Sequence, residues 1–144
     1  MTPRVDFYLC EHLSPDAHLR TVCRIVDKAY KQQHHILVCC TDKRESQILD
    51  QLLWTFHDIS FIPHEIWQHK STDVPIIIYD NSHEPPEQCH DILINLSNSV
   101  PTFMTKFQRI IEIVSAQPEA RQLARERYRN YRELGCDLHS HQIK

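Results

Sequence analysis

The chain has 144 residues, the length of one ordinary domain, and we expect a single domain spanning residues 1–144. Its composition, 41% hydrophobic and 24% charged residues, is typical of a folded globular protein and excludes a disordered chain. The formal net charge of −3 disfavours a protein that binds nucleic acid through its overall charge. The longest apolar runs, Ile36–Cys40 and Val74–Tyr79, are too short to span a bilayer, so we expect a cytoplasmic protein without a membrane anchor.

The first third of the chain predicts a strand, a helix and a second strand. Val5–Cys10 is a short apolar run that predicts a strand. Ser14 and Pro15 then predict the N-cap and the first position of a helix. The apolar positions of this helix recur every three to four residues and are Leu19, Val22, Cys23, Val26 and Tyr30. Ile36–Cys40 is continuously apolar, which indicates a strand covered on both faces in a parallel sheet.

The middle of the chain continues this alternation. A second helical pattern runs through Ile48, Leu49, Leu52 and Leu53. Val74–Tyr79 and Ile92–Leu96 predict two further buried strands, and the two prolines in Asn81–Gln88 predict a loop between them. Phe107–Val114 fits a strand or a helix, and its β-branched content favours the strand.

The last predicted element is a helix that opens at Pro118. Its inner face is predicted from apolar spacing to be Leu123, Ala124, Tyr131 and Leu134. Gly135 stands where a helix needs a left-handed residue after its last turn. Strands and helices alternate, so the predicted fold class is α/β with a mostly parallel central sheet.

The cysteines and histidines give no sign of a metal or a disulfide. Four of the six cysteines, Cys10, Cys23, Cys39 and Cys40, lie in apolar segments, and no C-x-x-C pair occurs, so we interpret them as buried thiols. The eleven histidines are scattered, and His139-Ser140-His141 is predicted to lie exposed in a polar tail. We therefore expect neither a metal nor a cofactor.

A single glycine excludes the common nucleotide-binding loops. Phosphate-binding loops need several glycines so that backbone N–H groups can approach the phosphates, and Gly135 is the only glycine here. The sequence also has no G-x-S-x-G nucleophile turn. An enzyme remains an alternative, with a site at the predicted strand ends near Asp42, Asp80 and Asn95. A surface carboxylate that caps a loop is the commoner explanation of Asp80.

The last helix presents a stripe of arginines. Arginines and a tyrosine at spacings of three and four residues share one helical face, predicted to lie opposite Leu123, Ala124 and Leu134. The stripe consists of Arg121, Arg125, Tyr128, Arg129 and Arg132. The pattern fits a solvated helix surface, and it equally fits a binding site for an acidic peptide, since guanidinium groups pair with carboxylates. A third interpretation is direct binding of single-stranded nucleic acid.

A second candidate surface is the aromatic segment 54–67. It holds both tryptophans of the chain and two of its five phenylalanines. Such density is typical of protein interfaces, and we expect at least one of the rings to be exposed. Ile59 and Ile62 are better interpreted as core residues beneath a loop.

Several motifs resemble, in the same order, the chi subunit of bacterial DNA polymerase III. The strongest is Gln122-Leu123-Ala124-Arg125-Glu126-Arg127-Tyr128-Arg129, continuing through Tyr131-Arg132 to Gly135. Further matches are Phe7-Tyr8-Leu9, Leu49-Asp50, Leu53-Trp54, Ser60-Phe61-Ile62-Pro63-His64 and Asp91-Ile92-Leu93-Ile94-Asn95-Leu96. The resemblance covers nearly the whole chain.

The resemblance implies a Rossmann-like three-layer domain without nucleotide binding and without catalytic activity of its own. It also implies a heterodimer with the psi subunit, attachment through psi to the clamp-loader complex, and binding of the acidic, phenylalanine-ended C-terminal tail of single-stranded DNA-binding protein. No sequence-specific contact with nucleic acid is implied.

The family's functional positions carry over to particular residues of this chain. The positions that match tail binding are Arg121, Arg125, Tyr128, Arg129 and Val114. The positions that match psi binding are Trp54, Phe61 and Pro63. Around His64–Thr72 the chain departs from the glycine-rich stretch of some relatives, and its C-terminus lacks an aromatic residue.

Overall fold

The computed structural model describes residues 2–11, 14, 16–55, 62–68, 74–81, 84–86 and 91–143. The elements are β1 (Arg4–Cys10), α1 (Ala17–Lys31), β2 (Ile36–Cys39), α2 (Lys43–Thr55), β3 (His64–Ile66), β4 (Ile76–Tyr79), β5 (Ile92–Asn95), β6 (Arg109–Val114), α3 (Pro118–Glu133) and β7 (Asp137–Ile143). Strands and helices alternate from β1 to β3 and again from β6 to β7, whereas no α-helix separates β3, β4, β5 and β6 in the order of the described elements.

The strands form one parallel sheet between two layers. Their order is β3-β4-β2-β5-β6-β1-β7, and every neighbouring pair is parallel. Helices α1 and α2 pack on one face of the sheet and α3 on the other. Parallel strands need long crossover connections, and the three helices supply those from β1 to β2, from β2 to β3 and from β6 to β7. The predicted α/β class with a mostly parallel sheet is confirmed.

The core strands are buried on both faces, which explains their continuous apolar sequences. In β2, Ile36 and Val38 pack under α1 and α2, whereas Leu37 and Cys39 pack on the opposite face. Strands β4 and β5 are buried at every position in the same way. The predicted strand at the end of Phe107–Val114 is also confirmed, because β6 lies between β5 and β1 in the sheet interior. A strand in that position needs apolar side chains on both faces.

The predicted start of α1 is wrong by two residues. The helix begins at Ala17, and its N-cap is Asp16, which has a left-handed backbone with φ of 60°. The Ser14 carbonyl accepts a hydrogen bond from the Ala17 N–H at 3.2 Å, so Ser14 belongs to the preceding turn. A left-handed residue cannot continue a right-handed helix, so the helix starts only after Asp16. Pro15 lies outside the described residues.

Two strands have no counterpart in the sequence predictions. Strand β3 has only three residues, too few to show a period. Strand β7 occupies the segment interpreted as an exposed polar tail, and that interpretation is wrong because β7 pairs with β1 along its whole length. Its burial alternates between partly buried and exposed positions, as expected for a strand at the edge of a sheet. His141 in this strand lies 2.9 Å from a carboxylate oxygen of the buried Asp6.

Helix α3 begins at Pro118, as predicted, but its buried residues differ in part from those predicted. Ala124 and Tyr131 are buried as predicted, whereas Leu134 is 53% exposed and Arg127 is buried in its place. Leu134 is the C-cap residue, so it lies beyond the part of the helix that the sheet covers. Gly135 has the predicted positive φ, 83°, and follows the last turn.

Cys10, Cys23, Cys39 and Cys40 are buried free thiols, which confirms the interpretation of these residues. Burial raises the pKa of Cys23 and of Cys39 to about 12. Within the described ranges, no group of three or more metal-ligating side chains lies together. The three helices of those ranges are also too short or too polar to cross a bilayer.

Candidate functional site

A pocket of about 210 Å³ lies between α3 and the strands β1, β6 and β7. Its lining is Phe7, Leu9, Val114, Arg121, Ala124, Arg125, Tyr128 and Ser140. We call it the α3 pocket. It brings together residues that are far apart in the sequence, because β1, β6 and β7 are neighbours in the sheet and α3 covers them.

The floor of the α3 pocket is apolar for a simple geometric reason. Side chains alternate along a strand, so Phe7 and Leu9 point to the same face of β1, towards α3. Ala124 has a small side chain that leaves space above this floor. The Tyr128 ring forms a wall and packs against Phe7 with ring centroids 5.4 Å apart. An apolar cavity of about 150 Å³ is enough for a benzene ring, so the pocket can hold one aromatic side chain.

The rim of the pocket is positively charged. Arg121 is held in place because its Nη2 donates to the Cys10 carbonyl at 2.8 Å. Arg125 Nη1 donates to the Gln122 side chain at 3.2 Å. In the part of the chain that the structure describes, no ion pair joins Arg121, Arg125 or Arg129 to a carboxylate. These guanidinium groups therefore keep donors for an external anion.

A second depression of about 450 Å³ adjoins the pocket and is lined by Gln122, Arg125, Tyr128 and Arg129. We call it the outer shelf. Arg125 and Tyr128 border both spaces, so the two form one continuous surface. Arg132 lies beside it, with its guanidinium carbon 5.4 Å from the centre of the Tyr128 ring.

The structure brings together all five residues that match tail binding. Arg121, Arg125, Tyr128 and Val114 line the α3 pocket, and Arg129 lines the outer shelf. The expectation that the arginine stripe lies opposite Ala124 is wrong, because Ala124 lines the same pocket. The stripe borders the buried face of α3 and does not point straight into solvent.

Sequence reasoning missed four lining residues, Phe7, Leu9, Ala124 and Ser140. The alternation of β1 could have paired Phe7 with Leu9, but the sequence does not show that α3 covers that face. Ser140 could not be found, because β7 was not recognised as a strand.

The aromatic segment is described only in part. Trp54, at the end of α2, is 48% exposed, which confirms the prediction of an exposed ring. Its ring lies 4.5 Å from that of the buried His64. Pro63 is half-buried beside them, and Ile62 is buried as predicted. Phe61 and Ile59 lie outside the described residues.

The polar residues at the strand ends have structural partners. A cleft of about 150 Å³ opens there beside His18, Thr41, Glu45 and Ser97, but Asp42, Asp80 and Asn95 do not line it. Asp42 accepts a hydrogen bond from the Glu45 N–H at 2.9 Å and so caps α2. The Asn95 side chain is bonded to Glu112, Ser97 and Ser99.

Those Asn95 bonds belong to a buried network that holds α3 on the sheet. Glu112 of β6 accepts hydrogen bonds from Arg127 Nε at 3.0 Å, the Tyr131 hydroxyl at 2.6 Å and Asn95 Nδ2 at 2.7 Å. We call these four residues the Glu112 network. Burial raises the pKa of Glu112, although the Arg127 charge and the three hydrogen bonds oppose this effect. The network fixes the helix whose other side borders the α3 pocket.

Comparison with known proteins identifies the family of this chain. Residues 1–139 match the protein family described as DNA polymerase III chi subunit, HolC. The chain is 36% identical over 140 residues to a Pseudomonas aeruginosa protein named DNA polymerase III subunit chi. The matched region covers 97% of this chain and 96% of the relative.

Two further relatives carry the same name. The Escherichia coli protein is 31% identical over 120 residues, covering 83% of this chain and 81% of the relative. The Haemophilus influenzae protein is 26% identical over 144 residues, covering 99% of each chain. The chain therefore belongs to the DNA polymerase III chi subunit family.

Proposed function

We propose that this chain is a non-catalytic adaptor of the DNA polymerase III holoenzyme. In this proposal the α3 pocket binds the acidic, phenylalanine-ended C-terminal tail of single-stranded DNA-binding protein. The observation that supports it is the apolar pocket rimmed by Arg121 and Arg125, neither of which has a carboxylate partner among the described residues.

The chemistry of the surface matches that of such a tail. The terminal phenylalanine would enter the apolar floor formed by Phe7, Leu9 and Val114. The terminal carboxylate and the preceding acidic side chains would pair with the rim and with the outer shelf, where guanidinium groups offer paired N–H donors. Charge pairing and burial of one ring then act together on a short peptide.

The consequence of this binding is tethering. A polymerase assembly attached to protein-coated template is held at a raised effective concentration near that template. Attachment is then strengthened without a new contact to DNA.

The test is calorimetric titration of the purified chain with a synthetic peptide of this tail. We expect a Kd on the order of micromolar, about −8 kcal/mol, which weakens as salt is added. Arg125→Ala should weaken binding by at least about tenfold, because it removes a charge that borders both the pocket and the shelf. A peptide ending in alanine should lose most of the affinity.

Arg44→Ala is the matched control, since it removes an exposed arginine from α2, away from the pocket. No heat with the wild-type chain at peptide concentrations near a millimolar would contradict the proposal. Equal losses in Arg125→Ala and Arg44→Ala would assign the binding to overall charge and not to the pocket.

We also propose that the aromatic surface around Trp54 and Pro63 binds the psi subunit, which attaches the chain to the clamp loader. Its support is Trp54, which is 48% exposed, since tryptophan is enriched among the residues that dominate the binding energy of protein interfaces. Phe61 belongs to the same proposal by its position in the sequence.

Co-purification with separately expressed psi subunit tests this surface. Trp54→Ala should abolish or strongly weaken the complex and leave the tail peptide affinity unchanged. Leu134→Ala is the matched control, because Leu134 is the other large apolar side chain that is exposed in the described ranges. A Trp54→Ala chain that binds psi as tightly as wild type would contradict the assignment.

A further inference from the structure

A charged cluster lies on the sheet face opposite the α3 pocket. It consists of Arg4, Asp6, Tyr8, Arg109 and His141, and we call it the sheet-face cluster. Asp6, Tyr8 and His141 alternate along β1 and β7 with the residues that line the pocket, so they point to the other side. The strand register also sets Arg4 beside Arg109 on neighbouring strands.

Asp6 is fully buried at the centre of the cluster and holds three basic side chains. Arg4 Nε and Arg109 Nε lie 3.2 Å and 2.9 Å from one carboxylate oxygen, and His141 Nε2 lies 2.9 Å from the other. The side chains of Arg4, Arg109 and His141 are still 49%, 40% and 41% exposed. One carboxylate therefore orients more basic groups than it can neutralise.

The outward nitrogens of these side chains are available to a ligand. The Nε of each arginine donates a hydrogen bond to Asp6, and Arg109 Nη2 lies 3.5 Å from the Tyr8 hydroxyl. Within the residues that the structure describes, Arg4 Nη1, Arg109 Nη1 and His141 Nδ1 have no hydrogen-bond acceptor. A buried acid with fixed guanidinium groups above it is a preorganised site for an anion.

Helix α1 extends the basic surface along the cluster. Thr21 lies over β1, 3.7 Å from the Cys10 sulfur, and Arg24 donates to its hydroxyl at 3.4 Å. Arg20, Arg24 and Lys28 are spaced four residues apart, so they form one exposed stripe on this flank. Because a crossover helix runs antiparallel to the strands it joins, the stripe leads towards the end of β1 that carries Arg4.

The charge of this face differs from that of the whole chain. Helix α1 and the side of β1, β6 and β7 that faces it carry six lysines and arginines against three carboxylates, Asp6, Asp27 and Asp137. The full sequence has 16 basic residues and 19 acidic ones. Positive charge is therefore concentrated on this side of a chain whose net charge is negative.

The occupant is indicated by an aromatic pair on the same face. The rings of Tyr8 and His141 are stacked, with centroids 4.7 Å apart and planes 22° from parallel. Partly exposed rings that lie beside arginines offer stacking for bases and pairing for phosphates. We propose that the sheet-face cluster and the α1 stripe bind the backbone and bases of single-stranded nucleic acid. This site does not depend on the tail site, which lies across the sheet.

The test is fluorescence anisotropy with a labelled oligothymidylate of about 16 nucleotides, the upper end of the site sizes known for single-strand binding domains. We expect saturable binding at low salt that weakens as salt is added. About four phosphate contacts would give a slope near −3 for log K against log salt.

The informative variant is Arg24→Ala/Lys28→Ala, because both side chains are exposed on α1. Its affinity should fall at least about tenfold at low salt, and its salt slope should flatten by about 1.4. Tyr8→Leu should weaken binding by about tenfold through lost stacking and leave the salt slope unchanged.

Lys43→Ala/Arg44→Ala is the matched control, since it removes the same charge from the exposed start of α2. If the two double variants weaken oligonucleotide binding equally, the proposal is wrong, and the oligonucleotide is held by diffuse electrostatic attraction to the chain. Polyglutamate is the competing ligand. If it binds more tightly than the oligonucleotide, and if the α1 variant loses this binding, the proposal is wrong and the surface binds an acidic protein. If the anisotropy does not change at about 100 μM chain, the proposal that this face binds nucleic acid is wrong.

Discussion

Helix α3 places arginines in two contrasting environments. Arg127 points to the sheet and pairs with Glu112 in a buried network in which each Glu112 oxygen has a donor. Arg125 points to the α3 pocket, where the only hydrogen bond that the structure gives it is to the exposed side chain of Gln122. Glu112 and Val114 stand two positions apart on the same face of β6. On α3, a buried carboxylate partner thus distinguishes the arginine that stabilises the fold from the arginine that stays available to a ligand.

The largest effect should come from breaking the Glu112 network. Arg127→Met leaves Glu112 buried without its cationic partner and should lower the free energy of unfolding by about 3–5 kcal/mol, measured by urea denaturation. Arg125→Met, the same substitution on the pocket side, should change it by less than about 0.5 kcal/mol.

A double variant sharpens this test. Glu112→Leu/Arg127→Met removes both charges and should recover part of the loss, because no uncompensated charge stays buried. If Arg127→Met alone costs no more than Arg125→Met, the distinction between the two sides of α3 is wrong.

The next largest effect should be seen at the pocket wall. Tyr128 borders both the α3 pocket and the outer shelf, so Tyr128→Ala should weaken the tail peptide by about 2 kcal/mol, or roughly thirtyfold, in calorimetry. Tyr30→Ala removes a half-buried tyrosine from α1 and controls for general loss of stability. If Tyr128→Ala leaves the peptide affinity unchanged, the Tyr128 ring is not part of the binding site.

A smaller effect, with a characteristic pH dependence, is expected at Asp6. Burial alone would raise the pKa of Asp6, but hydrogen bonds from His141, Arg4 and Arg109, together with the Arg109 charge, outweigh it and hold the pKa below its ordinary value. The stabilisation is therefore present above the unfolded pKa, near 3.9, and is lost as pH falls through the lower folded pKa.

Asp6→Asn should cost about 1 kcal/mol near neutral pH, because the interacting side chains are partly exposed. The difference in urea midpoint between wild type and Asp6→Asn should shrink as the pH is lowered from 6 towards 2. A difference that stays constant over that range would show that the carboxylate charge of Asp6 does not contribute.

The smallest effect is expected on the outer shelf. Arg129 lines the shelf but not the pocket, so Arg129→Ala should weaken the tail peptide only about twofold, or ~0.4 kcal/mol. The loss should vanish at high salt because the pairing is exposed. A loss as large as that of Arg125→Ala would show that the outer shelf contributes as much to binding as the pocket rim.

The fold was predictable where local pattern and burial agree. The apolar runs at Ile36 and Val74 mark strands covered on both faces, and Pro118 and Gly135 mark the two ends of α3. Strand β7 was not predictable, because an edge strand needs few apolar residues and derives its order from pairing with β1. The prediction that Leu134 lies on the inner face of α3 failed because the spacing of apolar residues does not show where the sheet ends.

The candidate site was predictable on its helical side only. Four of its residues follow from the spacing of α3 and its resemblance to a known family, which also supplied Val114. Phe7, Leu9 and Ser140 come from strands that meet α3 only through long-range topology. The charge of the α3 pocket can thus be read from the sequence, whereas its apolar floor cannot.

The position of β1 has a consequence for how the protein is made. This first strand lies between β6 and β7, the last two strands to be synthesised. Asp6 finds its partners Arg109 and His141 at sequence separations of 103 and 135 residues. Such distant pairings are intrinsically slow to form. Until β6 has been synthesised, β1 therefore has no neighbour in the sheet, and we expect its pairing to be a late step of folding, with this strand in need of protection until then.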